Sequence, residues 1–305
     1  MKIKFWGVRG SIPCPGSSTV KYGGNTPCLE IRFGEPGRLI IIDAGSGLRE
    51  LGISLMSRND SVTPIEADLF LTHTHLDHIL GLPFFTPVYL PDTKLKIYGP
   101  VTGEEKSLET VIGGQLSYHY FPVRQTELAA DIEYINLKEG SLDLHDGITL
   151  TTKYLNHPLL CFAYRFEYQG KVICTAFDNE PFYNIFSTDP HDPAYDEAMA
   201  REGDVCARTE NRRMEAFFEG ADLLIHDAQF TQKEYESDKK GWGHTSIEDA
   251  IGIAKRCNVG RLALLHHDPS RTDRQIDELA EVFCDPGLTG STEAFFAREG
   301  MEVRL

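Results

Sequence analysis

Apolar and polar positions divide the chain into a strand-rich first part and a last third in which helix and strand alternate. Ile3 to Val8, Cys28 to Phe33 and Leu39 to Asp43 are β-branched or apolar runs, set apart by Gly, Pro and Ser clusters such as Pro13-Cys14-Pro15-Gly16-Ser17, and they predict three short strands. Asp68 to Thr72 and Leu95 to Tyr98 predict two more. Between 101 and 137 the pattern is mixed, with a helix expected around Glu104 to Ile112 and a weak strand near Ile132 to Leu137. Strands then return at Ile148 to Leu155 and in a hairpin, Phe162 to Tyr168 and Lys171 to Thr175, joined by Gln169-Gly170, whose glycine suits a tight turn.

In the last third, Thr245-Ser-Ile-Glu248 and Thr272-Asp-Arg-Gln275 read as capping boxes, in which side chain and backbone satisfy each other's orphan groups at a helix start. Ile247, Ala250, Ile251 and Ala254 fall at helical spacing, as do Ile276, Leu279, Ala280 and Phe283, so each helix is expected to lay one face on a sheet. Asn258 and Gly260 end the first helix, and a strand, Arg261 to Leu265, runs into His266-His267-Asp268-Pro269. Residues 179–210 are rich in Pro, Asp, Tyr and Glu, with one helix-like stretch at Ala194 to Arg201, and predict an excursion over the surface.

The chain has 305 residues, 41% of them in the hydrophobic set and 25% charged, which is the composition of a globular chain with a large core. Length alone suggests about two units of roughly 150 residues. No internal repeat or low-complexity run divides the sequence, however, so a single domain over 1–305 is expected. Lys plus Arg is 30 against 46 for Asp plus Glu, and the net charge of −16 argues against non-specific binding to nucleic acid or an anionic membrane. No stretch approaches the roughly 18 apolar residues that span a bilayer, and Met1 to Gly10 lacks the apolar core of a signal peptide, so a cytoplasmic protein is expected. Seven cysteines, an odd number without a CxxC pair, predict reduced thiols.

The chemistry concentrates in Thr72-His73-Thr74-His75-Leu76-Asp77-His78, at the end of a predicted strand. Residues 73 and 75 project to one side while the backbone is extended, and a turn into a helix after 75 aims 77 and 78 at a neighbouring point. Such a cluster can feed two metal centres about 3.5 to 4 Å apart, the spacing that clamps both oxygens of a hydrolytic displacement. One histidine at a strand end would be an ordinary solvent-facing residue. Four metal-competent side chains within six residues are not.

These residues resemble the HxHxDH signature of the metallo-β-lactamase-fold hydrolases, and the resemblance continues in order along the chain. Leu39-Ile-Ile-Ile-Asp43-Ala-Gly45 is similar to the family's first motif, a strand ending in an Asp that orients the site. His157 in Leu155-Asn-His-Pro158, Asp178 in Thr175-Ala-Phe-Asp-Asn179, and His266 match the three later ligand positions. Gly7-Val-Arg-Gly-Ser11 and Tyr22-Gly-Gly-Asn-Thr26 resemble the glycine-rich loops of the phosphodiesterase branch. The resemblance implies an α/β fold, a four-layer αβ/βα sandwich. It also implies two divalent cations, one held by His73, His75 and His157, the other by Asp77, His78 and His266, with Asp178 bridging. Zinc suits this nitrogen-rich set, and manganese or iron also fit it. Glu180 competes with Asp178 for the bridging role, and His267 with His266 for the last position.

Leu223-Leu-Ile-His-Asp-Ala-Gln-Phe230 resembles the His-Glu-Ala-Thr segment of tRNase Z-like enzymes, and Trp242-Gly-His-Thr-Ser246 their His-Ser-Thr loop. The resemblance assigns catalysis to Asp77 and to His244, the latter outside the metal shell beside a phosphate, while His226 and Asp227 are expected to be structural or to support a metal-bound histidine through its other nitrogen. His119, His145 and His191 match no motif. The expected function is a metal-dependent phosphodiesterase acting on a small phosphodiester, such as a cyclic nucleotide or cyclic phosphate. Nucleic acid is disfavoured, because only 20 residues separate His157 from Asp178, where the tRNA enzymes carry their grasping arm, and because the chain is acidic. No membrane partner is expected, and a homodimer is left open. A lactonase or thioesterase-like acyl hydrolase is the alternative within the fold. A non-hydrolytic di-iron oxygen or redox sensor is the alternative of another class, although no flavodoxin or rubredoxin module accompanies the site.

Overall fold

In the computed structural model, which describes residues 1–34, 37–58, 64–100 and 107–305, the apolar runs form two seven-stranded sheets. The first holds β1 (Lys2–Gly7), β2 (Cys28–Phe33), β3 (Arg38–Ile42), β4 (Glu66–Phe70), β5 (Lys94–Pro100) and β6 (Asp131–Leu137). The second holds β7 (Gly140–Asp143), β8 (Thr149–Tyr154), β9 (Phe162–Tyr168), β10 (Lys171–Ala176), β11 (Leu223–Asp227), β12 (Arg261–Leu265) and β13 (Glu293–Phe296). The last strand, β14 (Glu302–Arg304), crosses back to pair antiparallel with β1. In each sheet one half is antiparallel and the other parallel, the parallel runs being β3-β4-β5-β6 and β10-β11-β12-β13.

Strand alternation sorts side chains between layers. In β3, Ile40 and Ile42 point into the core between the sheets, where they meet Phe70, Tyr164, Phe166 and Ile225, while Leu39 and Ile41 pack outward. There they meet Leu48, Leu51 and Leu55 of helix α1 (Gly47–Arg58). Short helices α2 (Leu76–Ile79) and α3 (Leu108–Gly113) follow on that side, and residues 104–106 of the expected helix lie outside the described residues. On the far side come α4 (Glu197–Phe218), α5 (Gln232–Glu234), α6 (Ile247–Arg256), α7 (Asp273–Phe283) and α8 (Pro286–Thr289). Ile247, Ala250, Ile251 and Ala254 of α6 cover Leu224, Leu262 and Leu264, whose neighbours Leu223, Ala263 and Leu265 face the inter-sheet core. The order helix, sheet, sheet, helix is the four-layer αβ/βα sandwich. Strands buried on both faces need near-continuous apolar runs, which is why β3, β4 and β12 read so plainly.

Three local readings are corrected. The excursion over 179–210 ends at Asp196, whose side chain caps α4 by accepting from the Met199 amide at 2.9 Å, and the helix runs 22 residues. Its apolar stripe is too thin to show in sequence, because only Ala200, Gly203, Met214 and Phe218 are buried. The cap of α6 is Ser246, not Thr245: Ser246 Oγ accepts from the Asp249 amide at 3.0 Å, while the Thr245 hydroxyl donates to the Asn179 carbonyl. The pattern also shows no element where α1 lies. The Thr272 box stands as expected, and Gln169 and Gly170, both at positive φ, make the hairpin turn.

Candidate metal centre

The sandwich brings the carboxyl ends of parallel strands to one edge, the usual place for ligands in open α/β sheets. Asp43 follows β3, Thr72 and His73 follow β4, Asp178 follows β10, Asp227 ends β11 and His266 follows β12. His75 caps α2, so Asp77 and His78 sit in its first turn, and His157 lies in the loop after β8. Two of these residues, Asp43 (φ 59°) and His266 (φ 63°), hold a left-handed backbone, a conformation that costs of order 1–3 kcal/mol unless the surroundings enforce it.

Together the seven expected ligand residues form two groups that share one carboxylate. The first is His73, His75, His157 and Asp178; the second is Asp77, His78, Asp178 and His266. His75 Nδ1 is 2.9 Å from His73 Nε2 and 3.1 Å from His157 Nε2, and Asp178 Oδ2 lies 3.5 Å from His73 Nε2 and 3.9 Å from His157 Nε2. Asp178 Oδ1 turns to the other group, 3.1 Å from both His78 Nε2 and His266 Nε2. Asp77 Oδ2 closes that group at 3.4 and 3.3 Å from the same two nitrogens.

Most rings spend one nitrogen on the scaffold. His78 Nδ1 is 2.7 Å from Asp43 Oδ2, and Asp43 in turn accepts from the Thr72 amide and hydroxyl. His73 Nδ1 meets Thr72 Oγ1 at 3.1 Å, and His157 Nδ1 donates to the Gly243 carbonyl at 3.0 Å. The remaining nitrogens converge. The opening loop seals the second group: the Ser11 amide donates to Asp77 Oδ2 at 2.8 Å, and Gly10 lies so close to the His266 ring that a Cβ there would stand 2.5 Å from it. Arg9, fully buried, pins this loop through the carbonyls of Gly23, Asp268 and Arg271.

A divalent cation fits this donor set. Bonds of about 2.0–2.1 Å in a tetrahedral site put ligand atoms roughly 3.3 Å apart, and those here lie 2.9 to 3.9 Å from one another along the contacts above. His78 Nε2 and Asp178 Oδ1 are buried without a hydrogen-bond partner. Burial opposes ionisation of Asp77 and Asp178, but the histidines around each override it and hold both well below the usual carboxylate range. Burial likewise opposes charge on His78, yet Asp178, Asp77 and Asp43 raise its pKa. His73, His75 and His157 are lowered, mainly by burial, with His157 near 4, and so offer neutral lone pairs. The first group therefore sets three neutral imidazoles around one oxygen of a buried, ionised carboxylate, a donor set suited to a cation.

His244 stands beside this cluster. Its Nδ1 is 2.8 Å from Asp227 Oδ2, its ring stacks on His266 at 4.9 Å between centroids, and it meets His157 edge-on. Burial pushes its pKa down, but Asp227 outweighs that and raises it to about 9. Asp227 also accepts from the Gln229 and Thr245 amides. His226 is turned away, its Nδ1 bonded to the Asp227 carbonyl. Of the competitors, His267 donates to the Ala297 carbonyl away from the cluster, and Glu180 serves Tyr235, Gly241 and Gly243 instead. His119, His145 and His191 are exposed elsewhere. The Ser11 amide and the Glu180 contacts were not legible in the motifs, because both join segments far apart in sequence.

The family model of the Metallo-beta-lactamase superfamily matches residues 22–93. The protein has the metallo-β-lactamase fold. It is 28% identical over 297 residues to a ribonuclease Z from Shouchella clausii (strain KSM-K16), covering 87% of this chain and 86% of that one. Among solved structures of the fold, a new diphosphatase from the PhnP family superposes with a TM-score of 0.66 at 16% identity, covering 100% of this chain and 97% of the other. The short form of human tRNase Z gives 0.62 at 20%, covering 100% and 99%. These metallo-β-lactamase-fold relatives overturn the expectation that nucleic acid is disfavoured, since ribonuclease Z is by name an RNA-cleaving enzyme and aligns along most of the chain. The physical reason is that a net charge of −16 sums the whole surface, whereas a nucleic acid meets only a local field. Among the described residues no helix is long and apolar enough to cross a membrane.

Proposed function

We propose that this metallo-β-lactamase-fold protein is a dinuclear metal-dependent phosphodiesterase. The observation that carries the reading is the pair of ligand groups sharing Asp178, with His244 held beside them by Asp227. In this reading His73, His75 and His157 hold one cation, Asp77, His78 and His266 the other, and Asp178 reaches both. Two such cations, zinc being the first choice for this nitrogen-rich set, would neutralise phosphoryl oxygens and lower the pKa of a water toward 7. Residues 1–305 act as one unit, because the core between the sheets draws on both halves.

The chain's own residues supply the rest. Asp43 and Thr72 fix the rings of His78 and His73, so their free nitrogens need no rearrangement when a substrate arrives. Asp227 accepts a hydrogen bond from His244 Nδ1–H and leaves the other ring nitrogen to donate to a phosphoryl oxygen or to protonate the departing oxygen. A small phosphodiester, such as a cyclic nucleotide or cyclic phosphate, is the first substrate to test. An RNA stands beside it because of the ribonuclease relatives.

The test combines metal content by plasma mass spectrometry with turnover of an aryl phosphodiester, a 2′,3′-cyclic nucleotide, an RNA with a 3′ extension and a lactone panel. Two metals per chain and turnover of diesters are expected. Turnover of lactones with none of the diesters would replace the reading by an acyl hydrolase, and a two-metal protein inert to all of them would favour a non-hydrolytic role.

A further inference from the structure

We propose that Glu180 is a positioning residue that clamps the Gly241–Gly243 loop so that its backbone fixes His157 within the first ligand group; this rests on the metal reading above. Glu180 is buried, 3% exposed, yet among the described residues no Lys or Arg pairs with it. Its carboxylate is instead spent on three donors. Oε1 accepts from the Tyr235 hydroxyl at 2.5 Å and the Gly241 amide at 2.8 Å, and Oε2 accepts from the Gly243 amide at 3.0 Å. Three of the roughly four acceptor positions of a carboxylate are committed in this way, and Glu180 belongs to neither ligand group that shares Asp178.

What it organises is the residue on the other side of the same glycine. The Gly243 carbonyl accepts from His157 Nδ1, so holding the Gly243 amide orients the neighbouring peptide group that sets the imidazole. The Glu180 backbone holds the residue before the same histidine, its amide donating to the Asn156 carbonyl at 2.9 Å. Asn156 Nδ2 returns a bond to the Pro181 carbonyl at 3.4 Å. His157 is thus bracketed, its preceding residue tied to the Glu180 backbone and its ring tied to a loop held by the Glu180 side chain. Gly243 is suited to this place twice over. Its φ of 83° is left-handed, and a Cβ on it would stand 2.3 Å from His157 Nδ1. His157 lies three residues beyond the end of β8, so loop contacts and not a strand ladder hold it.

A partner that orients a metal-ligating histidine is typically worth 10- to 100-fold in metal affinity or activity. Metal-free protein titrated stepwise with zinc should show two affinities, and His157→Ala identifies the one belonging to the first group. Glu180→Gln preserves shape but places an NH2 against a backbone amide. It should weaken that same affinity about tenfold or more and leave the other within twofold, with kcat falling and far-UV circular dichroism unchanged. Tyr235→Phe, which removes one donor and keeps both amide contacts, should shift the first affinity by less than Glu180→Gln. Equal weakening of both affinities, or a loss of thermal stability with both affinities intact, would overturn the positioning role. Absence of two-metal binding in the wild type would instead sink the metal reading itself.

Discussion

His244 has its Nδ1 committed to Asp227, so any proton it gives to substrate leaves from the other ring nitrogen. General-acid assistance is typically worth about 10² to 10⁴ in rate, and His244→Ala is expected to lower kcat by that order while both metals stay bound. The check is a pair of diesters: one with a poor leaving group should suffer more than an activated aryl ester, and equal losses would leave His244 a charge-stabilising role only. Asp178 makes a different demand, because each of its oxygens faces one ligand group. Asp178→Ala should reduce the metal content from two to at most one and abolish most activity with little change in circular dichroism; two retained metals would show that it does not bridge. At this scale the local motif was readable, since His73, His75, Asp77 and His78 lie within one strand end and one helical turn. The choices of Asp178 over Glu180 and His266 over His267 rested on the family resemblance alone, because each pair stands almost side by side in sequence and differs in which distant atoms receive it.

The elements place these side chains through their ends. β4 delivers His73, α2 turns Asp77 and His78 inward, and β10, β11 and β12 end side by side at Asp178, Asp227 and His266. The loop before α6 is the least regular piece, and it carries His244. Gly243→Ala and Gly220→Ala both put a side chain at positive φ, a cost of roughly 1–2 kcal/mol, but only the first meets a neighbour, His157. A larger loss of stability, from the added clash, and a much larger fall in kcat are expected for Gly243→Ala from denaturant midpoints and steady-state rates; equal kcat values would show the loop to be irrelevant to catalysis. Strand bounds agreed closely with the apolar runs because burial on both faces leaves little choice of residue. α4 escaped notice because a helix resting on the surface by four residues needs almost no apolar periodicity.

For the whole molecule, the metal centre is a burden without its cations. Two ionised carboxylates are buried with converging histidines at the seam where both sheets end, so a bound cation offsets a desolvation cost that spans the two halves. Zinc at 100 times its dissociation constant stabilises the folded state by about 2.7 kcal/mol per site. Chelation should therefore lower the melting temperature reversibly, with recovery on adding zinc back; an unchanged melting temperature in a protein shown to have lost its metal would contradict this coupling. By itself the sequence determined most of the strands, the Thr272 helix start, and which six-residue run is built for metal, since these depend on spacing along a few residues and on the burial of apolar side chains. Only the tertiary structure decided how the site closes. His157 lies 82 positions from His75, and Glu180 lies 63 positions from the amide of Gly243 that it holds. No local pattern encodes such contacts, because they arise where strands from two sheets end together, and the physical demand they meet, satisfying every buried donor and charge, is a property of the assembled edge.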